Sequence, residues 1–231
     1  MHPRPHLTHL LCLVASVMLA LGATACGSDD DDAGGGGGGA QDGQVKATEK
    51  AFLTAMVPNH ESALDMAEVA QDHGDDPFIK ELAQDIRSTQ VREIAEMKRI
   101  YTRRIGGTLK ADPNAHDGLG LTAAEAGMTH SPAMNRQLAS ADPFDRAFVD
   151  EMVPHHKGAI RMANVVLEKS DDASIVRLAR SIISSQKREI EEMNDFRTKE
   201  FGGPVPAGAQ HGAPSGGAPA GQEHDREHHP G

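Results

Sequence analysis

Tryptophan is absent, and cysteine occurs only twice in the 231 residues. Cys12 lies inside an apolar run near the start and Cys26 just beyond it. Everything after them lacks a disulfide, and lacks a thiolate for nucleophilic catalysis or metal binding. Soft-metal chemistry there has only thioether and imidazole to use. Aromatic residues make up 3%, so a core must be built from aliphatic side chains and methionine. Positive charge is also short, with 23 Lys and Arg against 34 Asp and Glu and a formal net charge of -11. Nucleic-acid binding needs the opposite balance and is excluded as the main role. An acidic surface favours solubility and enriches cations nearby. No stretch alternates polar and apolar residues over a useful length, which argues against strands.

The longest apolar run, Leu10–Leu21, is too short to span a bilayer as a helix. With Arg4 before it and Ala23-Thr24-Ala25-Cys26 after it, residues 1–25 read as an export signal of the lipoprotein type. Cys26 is the expected lipidation site, which would hold the protein in the cell envelope at a membrane surface. Ala23 stands where the lipoprotein pattern prefers Leu, so simple secretion is the alternative. Residues 26–45, with Asp29–Asp32 and Gly34–Gly39, are expected to form a flexible tether reaching roughly 25 Å. Residues 202–231 are Gly-, Pro- and Ala-rich and carry His211, His224, His228 and His229. A disordered tail is expected there, one that could add metal ligands.

Between these ends the chain repeats itself. An offset of 96 aligns residues 51–97 with 147–193 without a gap, and 23 of the 47 positions are identical. Each copy carries Met-Val-Pro-x-His, at Met56–His60 and at Met152–His156. Such a repeat marks a duplicated structural unit. Phe52, Met56, Asn59, Ala63 and Met66 recur at helical spacing, as do Ile79, Leu82, Ile86, Gln90, Glu93 and Met97. The second copy does the same from Phe148 to Val166 and from Ile175 to Met193. Asp76-Pro77 and Asp142-Pro143 look like helix starts, with Asp as cap and Pro in the first turn. The fold predicted is all-α: a ferritin-like four-helix bundle over 46–201, built from two helical hairpins (46–106 and 142–201). Helices of about 25 to 30 residues would be roughly 40 Å long. The connector, 107–141, is expected to hold short helices near Thr122–Gly127 and Ser131–Leu138.

The shared positions are rich in Met, His, Gln and Glu. Pro58 and Pro154 either kink their helices, freeing the carbonyls of Thr54 and Asp150, or start the main helices after a short turn. Gln90, Glu93, Gln186 and Glu189 occupy inward positions where packing alone favours Leu, so they need polar partners. Two readings follow. In one, a Gln–His–Glu network fixes helix register and Met fills the core. In the other, thioether and imidazole hold a soft ion, Cu(I). The denser set is then Met152, His155, His156, Met162 and Met193, and the counterpart is Met56, His60, Met66 and Met97. Gln186, Glu189, Gln90 and Glu93 would orient the imidazoles from behind.

Catalytic patterns are missing. A di-iron bundle needs Glu-x-x-His on two helices, but the residues three before His60, His155 and His156 are Val57, Met152 and Val153. There is no Gly-x-Ser-x-Gly, and the Gly34–Gly39 run has no strand before it. No enzyme activity is expected.

The string Phe148-x-x-x-Met152-x-x-His155-His156-x-x-Ala159-Ile160-x-Met162-Ala163, followed by Gln186-x-x-Glu189-Ile190-x-x-Met193, resembles a bacterial exported family named domain of unknown function 305. Gly127-Met128 and the duplication are also similar, and the resemblance covers roughly residues 46–201. It implies a ferritin-like fold and a place in the cell envelope. Some relatives are periplasmic copper-binding proteins that aid copper resistance, which implies copper sequestration or tolerance here. The residues this family pattern matches are Met152, His155, His156, Met162, Gln186, Glu189 and Met193. The first copy departs from it at Asn59. The alternative function is a non-enzymatic envelope interaction module with no metal, its protein partner unidentified.

Overall fold

The structure is a computed structural model that describes residues 37–209. The export signal, Cys26, most of the tether and the four tail histidines lie outside the described residues. Five α-helices, α1 (Gly37–His73), α2 (Pro77–Arg104), α3 (Pro132–Ala139), α4 (Phe144–Lys169) and α5 (Ala173–Phe201), follow one another with a 3-10 turn at Ala115–Leu119. Among the described residues there is no strand, and no helix is long and apolar enough to cross a membrane. The fold is all-α. Helices α1 and α2 form one hairpin and α4 and α5 the other, and the pairs pack into a four-helix bundle.

The helix starts follow from local chemistry, with one correction. Asp76 caps α2 by accepting from the N–H of Phe78 at 2.8 Å, with Pro77 next. Asp172 caps α5 through the N–H groups of Ser174 and Ile175. Asp142, expected to cap α4, does not: α4 starts at Phe144, Pro143 holds the cap position, and the Asp142–Pro143 peptide is cis. The carboxylate at work there is Asp145. It accepts from the backbone N–H of Asp75 at 2.9 Å and of Asp76 at 2.8 Å, so the start of α4 is tied to the turn of the first hairpin.

The repeat offset takes Asp145 to Glu49, which does the same at the other end of the bundle. Glu49 is fully buried, accepts from the Ser170 hydroxyl at 2.6 Å and receives the Arg104 guanidinium at 2.7 Å. That hydrogen bond is the main reason Arg104 holds its proton more tightly than usual. α2 therefore ends beside the second hairpin's turn, while α4 starts beside the first. The connector must cross the whole length of the bundle, as in ferritin-like topologies.

Asp172 makes a testable contribution. Burial works to raise its pKa, but the N–H groups of Ile175 and Ser174, together with Arg104, outweigh it and hold the carboxyl below its ordinary 3.8. A depressed folded-state value gives stability that is present above 3.8 and lost as pH falls through the lower value. Asp172→Ala is expected to cost about 1 kcal/mol at neutral pH. In urea titrations its difference from wild type should shrink as pH drops toward 3.

Three other expectations change. Helix α1 reaches back to Gly37, through residues expected to belong to the tether. Residues 39–44 are exposed; the helix propagates backward from a packed nucleus, each residue adding one bond. Thr122–Gly127 is a turn rather than a helix. Thr122 and Glu125 bond each other reciprocally at 2.9 and 3.2 Å, and the N–H and hydroxyl of Thr122, both donating to Glu125 Oε2, hold its carboxyl below the usual range. Finally, residues 202–209 do not all behave as tail. Val205 is buried against the second hairpin, its N–H donates to Asn194 Oδ1 at 2.9 Å, and Arg197 donates to the carbonyls of Gly203 and Pro204. One apolar anchor and one arginine suffice to dock a segment whose composition argued for disorder.

Candidate metal centre

Both prolines sit inside their helices rather than at the starts. The carbonyl that Pro58 frees, on Thr54, accepts from the N–H of Asp112 in the connector at 3.0 Å. The cost of the proline is thereby partly offset, and the connector is pinned beside the histidine layer.

Within each hairpin the helices run antiparallel, and one histidine meets one glutamate. His60 Nε2 lies 2.8 Å from Glu93 Oε2, and His156 Nε2 lies 2.7 Å from Glu189 Oε2. Met56 and Met97 stand four residues from His60 and Glu93, and Met152 and Met193 stand four from His156 and Glu189. One helical turn therefore separates each His–Glu layer from a layer of two methionines. All three candidate histidines and all six candidate methionines are buried.

The structure divides the methionines differently from the sequence grouping. Met56, Met97 and Met162 belong to one apolar cluster, and Met66, Met152 and Met193 to the other. Met152 and Met162 are ten residues apart, about 15 Å along a helix axis, so one compact site does not hold both. The antiparallel run of α1 and α4 instead brings Met162 to the Met56 end and Met66 to the Met152 end. Each cluster takes two methionines from one repeat and the third from the other.

The glutamines drop out of the expected network. Both polar atoms of Gln186 and the Oε1 of Gln90 are buried without a hydrogen-bond partner. The hairpin register explains this. If His60 faces Glu93, Gln90 falls level with Ala63; if His156 faces Glu189, Gln186 falls level with Ala159. Alanine has nothing to bond.

Beside the histidines the two copies differ at Asn59 and Ser62, which correspond to His155 and Gly158. His155 turns to the other repeat and lies 2.7 Å from the Ser62 hydroxyl. Gly158, three residues on, leaves a gap, and the connector backbone enters it. A Cβ at Gly158 would meet Gly127 N at 2.3 Å and the Ala126 carbonyl carbon at 2.4 Å, and Gly127 turns with φ of 67°. Asn59 Nδ2 donates to the Ala126 carbonyl at 3.3 Å. His155 thus meets a hydroxyl of the other repeat, where His60 and His156 each meet a glutamate of their own hairpin. Ser62 and Gly158 were not singled out in the sequence, and Gly127 only as part of the family resemblance, although the mismatch of the two copies at 59 and 62 was visible. Beside this seam Lys157 is partly buried, and burial, with Arg161 adding, pushes its ammonium below the usual range.

The chemistry of the donors can be tested against a metal. Glu93 and Glu189 accept from Nε2–H, which leaves the Nδ1 lone pair on His60 and on His156. Both Nδ1 atoms are buried without a partner. An imidazole oriented by a carboxylate on one nitrogen and open on the other is the arrangement of metal-ligating histidine. Among the described residues no three His, Cys, Asp or Glu side chains converge as a metal group. The remaining donors are thioethers, which select Cu(I) over harder ions. The residues fit a soft monovalent ion.

Comparison with known proteins agrees in fold. CopM in its Cu(I)-bound form has a TM-score of 0.56 and 30% identity, covering 67% of this chain and 98% of CopM. CopM is also known in apo, Ag-bound and Cu(II)-bound forms. A Streptomyces coelicolor DUF305 protein described as secreted has a TM-score of 0.59 at 24% identity, covering 73% of this chain and 98% of that one. The uncharacterized protein L153 of Acanthamoeba polyphaga mimivirus is 42% identical over 52 residues, which span 22% of this chain and 34% of that protein. Residues 44–197 match the family Domain of unknown function (DUF305), and over that span, well beyond half its length, the chain belongs to this family.

Proposed function

We propose that this protein binds Cu(I) in the cell envelope, for sequestration or handover rather than catalysis. The observation that carries this is the pair of buried imidazoles, His60 and His156, each held by a glutamate at Nε2 and open at Nδ1. Met56, Met97 and Met162 would supply sulfur beside His60, and Met152, Met193 and Met66 beside His156. His155 would serve the seam between the repeats. The likeness to CopM, which has been seen with Cu(I), supports the choice of ion. Placement at a membrane by lipid on Cys26, with secretion as its alternative, belongs to the same proposal.

Competition against a chromogenic Cu(I) chelator tests it. Replacing Met56, Met97 and Met162 together by Leu conserves volume and costs little stability, yet removes the sulfur from one cluster. Copper uptake by the full-length protein should fall by one equivalent. Unchanged uptake by the leucine variant would leave the methionines as core filling, as the metal-free interaction module requires. Catalysed Cu(I) or Fe(II) oxidation above the metal-free rate would restore an enzyme reading.

A further inference from the structure

The two halves of the bundle differ where α2 faces α5. Between residues 89–99 of α2 and 174–188 of α5 lies a cleft of about 650 Å³. Glu93 and Ser185 both line it, and the Ser185 hydroxyl approaches Glu93 Oε1 at 3.5 Å. The other oxygen of the same carboxylate holds His60. The cleft therefore leads from solvent to the group that orients the His60 imidazole.

Among the described residues, the repeat-equivalent seam between α2 and α5 is filled. The repeat offset takes Ser174, at the edge of the cleft, to Phe78 in the other half. Phe78 stacks on Phe196 with centroids 5.1 Å apart, and Phe196 meets Phe201 edge-on at 6.0 Å. Three rings fill the seam that Ser174 leaves open.

Charge differs as well. Arg92, Arg99, Arg177 and Arg188 line the cleft, facing Glu93 and Glu96. Arg99 pairs with Glu96, and Arg188 lies 3.8 Å from Glu192. Arg92 and Arg188 are repeat equivalents of each other, but the offset takes Arg99 and Arg177 to Asp195 and Glu81, so these two arginines are not a property of the repeat. A net-positive mouth on an acidic chain repels a bare cation and attracts an anion.

We propose that this cleft is the entrance to the His60 site, suited to Cu(I) carried in an anionic complex, and that the His156 site lacks such an entrance. The proposal rests on the copper reading above, but its first test needs no copper. Deuterium exchange at the imidazole C2 position, followed by mass spectrometry on the apo protein, should be several-fold faster for His60 than for His156. Ser174→Phe should slow His60 toward the His156 rate and leave His156 unchanged. Equal rates in the wild type, or no response in S174F at an unchanged melting temperature, would overturn the entrance.

The second test measures uptake from the anionic bis(bicinchoninate) complex of Cu(I) and from the cationic acetonitrile complex. Expected are a fast and a slow phase, the fast one slowed by salt and by Arg177→Glu only with the anionic donor. R177E changes an exposed residue and so tests the cleft even if S174F folds poorly. A fast phase indifferent to donor charge would overturn the anionic route. A wild type that takes up no copper but shows the exchange asymmetry would sink the copper reading and leave the cleft as a solvent entrance.

Discussion

Replacing His60 and His156 together by Ala is expected to weaken Cu(I) binding by at least about 100-fold, since losing a partner that merely orients such a ligand typically costs 10–100-fold. Each single variant should lose about one equivalent and keep the other, because each imidazole belongs to its own hairpin and is held by its own glutamate. Competition with a chromogenic chelator reads both quantities. Removing the imidazole also leaves Glu93 or Glu189 buried without its partner, at a cost of about 1–3 kcal/mol. A lower melting temperature is therefore expected in every case and decides nothing by itself. The deciding comparison is Glu93→Gln, which keeps a hydrogen-bond acceptor for His60 but removes the charge. Copper affinity should fall with it about tenfold or more, while the melting temperature moves less than in His60→Ala. If H60A and H156A lose stability and neither changes copper binding, the His–Glu pairs hold helix register only.

Gly158→Ala should carry the largest stability change from a single methyl group. Its Cβ would sit 2.3 Å from the Gly127 nitrogen and 2.4 Å from the Ala126 carbonyl carbon, both backbone atoms that no rotamer change can move aside. Overpacking of this kind costs about 1–3 kcal/mol, and here the upper end is expected because the connector must lift as a unit. For a domain of this size about 3 kcal/mol corresponds to roughly 6–12 °C in melting temperature. Lifting the connector also breaks the Asn59–Ala126 hydrogen bond, leaving a buried amide unpaired. Ser62→Gly, at the equivalent place in the other repeat, removes atoms rather than forcing them against backbone and should cost less. A melting temperature within 2 °C of wild type for G158A, on the order of a sub-kcal/mol change, would mean that the 126–127 turn yields freely.

Much of this architecture was legible because helical spacing and the offset of 96 reinforce each other. Met56–His60 and Glu93–Met97 recur as Met152–His156 and Glu189–Met193, so both hairpins and their inward faces could be read directly. Glu93 and Glu189, read as needing an imidazole partner, were found beside His60 and His156. The glutamines were not, because a stripe shows which face of a helix is buried but not which level meets which across a hairpin. Grouping Met152 with Met162 failed for a related reason. Sequence neighbours on one helix are separated along its axis, and only the crossing of α1 with α4 brings Met66 and Met162 to their partners. Gly158 and Gly127 were invisible as a pair, since their contact depends on a long connector whose path has no periodicity. The Phe78–Ser174 difference was present in the alignment, but nothing local said that a cleft would open there.

The sharing of methionines between repeats has a consequence for how such a protein could arise. A lone hairpin carrying one copy of the repeat has His, Glu and two sulfurs, but the third sulfur must come from elsewhere. Two identical hairpins meeting about a two-fold axis would supply it to each other, and both sites would be complete at once. Gene fusion then frees the copies to diverge. One half could admit a strand of connector beside its histidine and keep its phenylalanine seam, while the other opened a cleft.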